Sequence, residues 1–147
     1  MSEPLKIGIS IGDTNGIGLE VIIKTLLDNQ IYKYCTPIVY GHTKVASYHR
    51  KALGINDFSF QVINQAEQAQ RNKPNMINCW EEDVKIDLGE SNENGGKYAF
   101  LSLQKATEDL ISGKIDALVT APINKHSIQS DEFRFAGHTE YIQEKAG

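Results

Sequence analysis

The stretch from Ile115 to Glu140 constrains this chain most. An apolar run that begins at Ile115 stops at Pro122 and gives way at once to polar groups. Asp116 to Thr120 has the length and β-branched content of a buried strand, and Pro122, which has no N–H to give a ladder, ends it at about Ala121. Asn124 and Lys125 therefore stand at a strand's carboxyl end. Ligands of open α/β sheets bind at that edge, so an amide and an ammonium there suit an anionic small molecule. Gly137-His138-Thr139-Glu140 follows. Gly137 permits close backbone approach, and Thr139-Glu140 has the form of a helix start whose free N–H groups favour an anion. His138 and Thr139 together suit a phosphate or carboxylate. The same residues fit an ordinary loop histidine beside a capping threonine equally well.

The rest of the chain alternates strand and helix. Ile7, Ile9 and Ile11 mark a first, largely buried strand over Leu5–Ile11, and Leu19, Ile22, Ile23, Leu26 and Leu27 mark a helix behind it. Between them, Gly12 to Glu20 is a glycine-rich turn of the kind that can cradle a phosphate. Its glycines at 12, 16 and 18 do not fit Gly-x-Gly-x-x-Gly, however, and a tight turn with Asp13 or Asn15 capping the helix serves as well. Pro37–Tyr40 reads as a second strand, followed by a turn at Gly41-His42-Thr43 and a helix from Lys44 to about Leu53. His42 lies at a strand end, and His49 lies mid-helix among polar neighbours, two turns further on. Neither has metal-ligand spacing. Phe58–Ile63 reads as a third strand, Gln65–Arg71 as a polar connector and Met76–Trp80 as a fourth strand. Glu81–Asn94 reads as an edge strand plus a surface loop. Ala99, Leu103, Ala106 and Leu110 place an amphipathic helix over Gly95–Ser112 that packs on the sheet and ends at Gly113. The alternation indicates an α/β sheet covered by helices on both faces. Strand order and direction cannot be read from it.

Composition narrows the function classes. With 147 residues, 40% hydrophobic and 23% charged, the chain suits one globular domain or part of two. A net charge of −4 removes the broad basic patch that non-specific nucleic-acid binding needs, so local Lys and Arg must serve any anionic ligand. Cys35 and Cys79 lack disulfide-framework or zinc spacing. No segment approaches a membrane span and no signal-like start is present, so no membrane partner is expected and the chain reads as cytoplasmic.

Thr120-Ala121-Pro122-Ile123-Asn124-Lys125 followed by Gly137-His138-Thr139-Glu140 resembles the 4-hydroxythreonine-4-phosphate dehydrogenase family, metal- and NAD-dependent enzymes of pyridoxal phosphate synthesis. That family opens with a similar glycine-rich loop, usually with Pro-Ala where this chain has Thr14-Asn15 and Pro where it has Leu19. Asp13, Gly16, Ile17, Gly18 and Glu20 are retained.

The resemblance implies a layered α/β/α sheet of isocitrate/isopropylmalate-dehydrogenase-like type, two domains with the active site in the cleft between them, and a homodimer when full length. Family members are longer. Residues 1–120 are therefore expected to form a first α/β domain, and 121–147 a cleft segment and the start of a second, truncated domain. Glu140–Ala146 reads as two helical turns with nothing to pack against. By resemblance His138 and Thr139 bind substrate, and Asp13, Asn124 and Lys125 are candidate cleft contacts. The ligands of a divalent metal and most NAD contacts lie outside this chain, and no catalytic residue within it is assigned. The implied reaction is NAD-dependent oxidation of 4-phosphooxy-L-threonine with decarboxylation, with the metal as Lewis acid. The chain alone is expected to be inactive. Two alternatives stand beside this: a relative acting on another phosphorylated hydroxy acid, and a non-catalytic α/β module that holds an anion or a partner.

Overall fold

A computed structural model describes residues 4–12, 14–81, 93–121 and 142–145. The first apolar run becomes β1 (Leu5–Ser10), and the periodic residues behind it become α1 (Gly18–Leu26), where Leu19, Ile22, Ile23 and Leu26 recur at helical spacing and are all buried. The chain continues through β2 (Cys35–Gly41), α2 (Thr43–Ala52), β3 (Gln61–Ile63), β4 (Asn75–Asn78), α3 (Glu93–Ile111) and β5 (Ala117–Thr120). Short 3-10 turns over Asn29–Lys33 and Ala66–Gln68 join them. No helix among the described residues is long and apolar enough to cross a membrane.

The five strands form one sheet in the order β3-β4-β2-β1-β5, and every pairing is parallel. Successive side chains of a strand point to opposite faces, so β2 sends Val39 to one side and Ile38 and Tyr40 to the other. α1 and α2 cover the Val39 face, where Ile11, Leu19, Ile23, Val45 and Met76 pack together. α3 covers the opposite face, with Ala106 against Ile38, Tyr40, Ile77 and Ile115. The expected α/β/α layering is thus formed. Ala99, Leu103 and Ala106 are buried, so the apolar stripe of α3 is core. Past its last turn Gly113 adopts φ +76°, and its N–H donates to the Leu110 carbonyl at 3.1 Å.

Four expectations need correction. β3 spans only Gln61–Ile63: Phe58 packs edge to face on Phe60 at 5.0 Å and enters the α1/α2 core, so that alternation reflects packing of a connecting segment and not a ladder. Among the described residues β5 is a partly exposed strand at the sheet edge, and Val119, in register with Ile9, is 54% exposed beside α1. α3 begins at Glu93, two residues earlier than read, while the expected strand and loop over 82–92 lie outside the described residues. Residues 142–145 are helical as expected, but they do find a packing partner, because Ile142 rests against Ala99, Phe100 and Leu103 of α3. The proposed cleft segment, residues 122–141, lies outside the described residues.

A buried side-chain pair ties the sheet to α3. Tyr40 donates its hydroxyl to Asp109 Oδ2 at 2.7 Å, and Lys105 Nζ lies 3.5 Å from Asp109 Oδ1. Tyr40 is fully buried and Asp109 is 3% exposed. Burial, and after it the Asp109 carboxylate, holds the tyrosine well above its ordinary ionisation range, so the hydroxyl remains a donor at any ordinary pH. Tyr40→Phe preserves the ring and removes the donor from a buried carboxylate, a loss of about 1–3 kcal/mol. The expected result is a lower urea midpoint at unchanged denaturant slope; an unmoved midpoint would show that Asp109 needs no hydroxyl partner.

Candidate functional site

The order of the sheet reverses at β1. From there the chain passes through β2 to β3 at the outer edge, β4 fills the place between them, and α3 carries the chain back to set β5 on the other side of β1. In doubly wound sheets a crevice opens at the carboxyl ends of the strands where the order reverses, and ligands bind there. Ser10 and Thr120 are the last pair in register, and the Ala121 N–H still donates to the Ser10 carbonyl at 3.0 Å. The segments that begin at residues 11 and 122 therefore leave one edge side by side. Asp13, Asn124, Lys125, His138 and Thr139 themselves lie outside the described residues; the structure describes the frame from which their segments depart.

That frame is held from both helical layers. Gly12, at φ +72°, takes a left-handed conformation that costs glycine little and turns the chain out of β1. Just before it, the Ile11 N–H donates to Ser102 Oγ at 3.0 Å, and the Ser102 hydroxyl donates to the Tyr40 carbonyl. One α3 side chain thus satisfies two buried backbone groups where β1 and β2 part. On the opposite face His49 Nε2 lies 2.7 Å from the Thr14 carbonyl. A carbonyl can only accept, so this nitrogen carries the hydrogen.

His49 was read as a mid-helix residue with polar neighbours, yet it is 4% exposed. It falls three and four positions after Ala46 and Val45, on the buried face of α2, and that spacing was the available signal. Ser102 gave less, being one serine inside an apolar stripe.

α1 starts at the same edge. Its N-cap position is Ile17, 63% exposed, which supplies no side-chain hydrogen bond, and Asp13 lies outside the described residues. The first-turn N–H groups of a helix favour an anion. His42 instead caps α2, its Nδ1 accepting from the Lys44 N–H at 3.1 Å while its ring stacks on Trp80. Asn78 Oδ1 accepts from the Thr43 N–H, so the start of α2 is closed by side chains. Burial pushes the Cys79 thiol up to about 12, which makes it a poor nucleophile at neutral pH. Between α1 and β5 runs a groove of about 200 Å³ lined by Val21, Ile22, Leu26, Val119 and Ala121 among others. Its apolar lining cannot compensate a buried phosphate, so an anionic ligand belongs at the polar edge. Among the described residues no three His, Cys, Asp or Glu side chains converge as metal ligands.

Known proteins share this frame. A family model described as pyridoxal phosphate biosynthetic protein PdxA matches residues 33–147. A 4-hydroxythreonine-4-phosphate dehydrogenase of Bacteroides thetaiotaomicron is 48% identical over 143 residues, covering 97% of this chain and 39% of the relative. A protein of Oceanobacillus iheyensis, provisionally named as a D-threonate 4-phosphate dehydrogenase, is 36% identical, with 98% of this chain and 44% of the relative covered. The crystal structure of a 4-hydroxythreonine-4-phosphate dehydrogenase from Burkholderia phymatum superposes with a TM-score of 0.87 at 29% identity, over 97% of this chain and 44% of that one. The chain thus spans less than half the length of these relatives, and its layered sheet is of the isocitrate-dehydrogenase-like type.

Gly18 holds the edge together. A Cβ there would lie 2.3 Å from the Ile11 carbonyl oxygen and 3.1 Å from the Ala121 Cβ, so the start of α1, the end of β1 and the end of β5 meet without room for a methyl group. Because the first obstacle is backbone, Gly18→Ala should shift the helix start and cost about 1–3 kcal/mol, read as a lower urea midpoint with amide shifts concentrated in residues 10–20. A wild-type midpoint and spectrum would show that the junction is loose.

Proposed function

The chain belongs to the PdxA family of pyridoxal phosphate biosynthetic proteins, and on that premise we propose that it is the amino-terminal part of an NAD-dependent dehydrogenase. Its substrate is 4-phosphooxy-L-threonine, and its product after decarboxylation is 3-amino-2-oxopropyl phosphate. The observation that carries this reading is the 48% identity to a relative named for that dehydrogenase, which runs through 97% of the chain. The geometry supports it: a strand reversal sets two polar segments at one edge, next to the start of α1.

In this reaction bound NAD would take the hydride of the carbinol C–H, and the hydroxyl would give its proton to a base. The resulting β-keto acid then loses carbon dioxide. NAD supplies the hydride acceptor, and the protein supplies orientation. His138 and Thr139 bind the substrate, and Asp13, Asn124 and Lys125 form further cleft contacts. The family resemblance also implies a divalent metal. The described residues provide no ligand set for it, and their two histidines already bond backbone groups, so no step is assigned to it. The functional unit is a cytoplasmic homodimer, with residues 121–147 leading from the first domain into the cleft and a second domain.

A second reading is favoured by the Oceanobacillus relative. D-threonate 4-phosphate presents the same phosphate ester and the same oxidisable hydroxyl, with a hydroxyl in place of the amino group on the neighbouring carbon. An intact protein carrying this sequence, supplied with NAD, a divalent metal and each acid in turn, separates the two by NADH formation. Higher kcat/KM for the amino acid is expected; the reverse order selects the second reading, and no NADH from either ends the dehydrogenase assignment. In the same protein His138→Ala is expected to raise the substrate KM by about tenfold, roughly 1.4 kcal/mol of binding. Lost metal at unchanged substrate affinity would count against that role.

A further inference from the structure

We propose that His49 is a positioning residue: its Nε2–H, donated to the Thr14 carbonyl, sets the β1–α1 loop in register with the substrate crevice. The inference rests on the functional reading above, because it gives the held loop a ligand to meet.

Loops usually run over the surface and leave their backbone to water. This one does not. Thr14 and Asn15 are each 1% exposed, and the histidine that reaches Thr14 from a different element is 4% exposed. An imidazole taken out of water is costly unless it is hydrogen-bonded, and an apolar side chain would fill the same space without that cost. What an apolar residue cannot do is hold a carbonyl. The Thr14 hydroxyl is buried without a partner, so the threonine is tied here through its backbone. The ring is in turn oriented by Tyr48, which meets it edge-on at 5.7 Å.

The second anchor lies three residues earlier, on the other side of the sheet, where Ser102 of α3 holds the Ile11 N–H. The loop is thereby held by its amide at 11 and its carbonyl at 14, one from each helical layer. Binding geometry tolerates errors of about half an ångström, so a loop that meets substrate needs such supports.

His49→Leu keeps the bulk and deletes the donor, and His49→Gln restores an N–H at similar reach. In the intact protein His49→Leu should raise KM for the phosphorylated acid about tenfold with kcat within about twofold, and His49→Gln should recover KM to within about threefold. In amide spectra of the 147-residue chain, the Leu variant should shift residues 11–18 and the Gln variant should return them toward wild type. Equal KM and equal shifts in both variants, or a wild-type KM in His49→Leu, would overturn the proposal. If the unsubstituted protein oxidises neither acid, the functional reading fails, and the spectra alone then decide: reversion by Gln upholds the anchor, and its absence refutes it.

Discussion

Parallel pairing of β1 on both sides is the constraint from which the rest follows. A strand with parallel neighbours on each flank can be reached only through crossovers, and crossovers place helices on the faces. β1 pairs with β2 along six residues and with β5 along four. Its α3-facing side is so crowded that a Cβ on Gly8 would lie 2.5 Å from Ile115 Cδ1 and 3.0 Å from the Tyr40 ring. The glycine makes room for Tyr40, whose hydroxyl then reaches Asp109 and fixes α3 against the sheet. With α3 fixed, β5 can return only to the free flank of β1, and that return is the reversal that opens the crevice.

The same constraint explains where polar groups are buried. At the carboxyl edge β1 and β2 stop pairing after Ser10 and Tyr40, and backbone groups just past the last bridge would be left unsatisfied in a closed interior. Ser102 answers this from the α3 layer and His49 from the α2 layer. Both are buried polar residues with apolar side chains around them. Asn75 does similar work at the opposite edge, its amide serving the Pro37 carbonyl while its oxygen accepts from the Gln70 N–H. The sheet is apolar in its middle and stitched by side chains at its ends.

Local periodicity made most of this legible. β1, α1, β2, α2 and α3 all fall where their apolar spacing puts them, because each buries one stripe or one run against the sheet. Burial of β5 was misread because it depends on being an edge strand, and strand order is not a local property of residues 115–121. β3 was over-extended because Phe58 and Phe60 alternate in an irregular segment for reasons of ring packing. His49 was obscured by its neighbours: in Ser47-Tyr48-His49-Arg50 composition reads as surface, while the position relative to Val45 and Ala46 reads as core. The candidate substrate contacts were legible as spelling, and the fold adds to this that the segments holding them leave adjacent strand ends.

Charge divides the labour between those two segments. The proposed substrate, with a phosphate and a carboxylate, would need compensation, and this sequence has a net charge of −4. The β1–α1 loop has no basic residue from Ile11 to Gly18, so what it can offer an anion is neutral donors and the partial charge of the α1 start. On α1 itself Lys24 pairs with Glu20 at 2.9 Å. Within this sequence the segment that leaves β5 is the one of the two with full positive charge, where Lys125 and Arg134 stand. Coulomb attraction falls off slowly with distance, whereas amide donors lose most of their value a few tenths of an ångström out of line. The loop without a basic residue is thus the partner that must be held rigidly, and it is the one that the fold clamps from both helical layers.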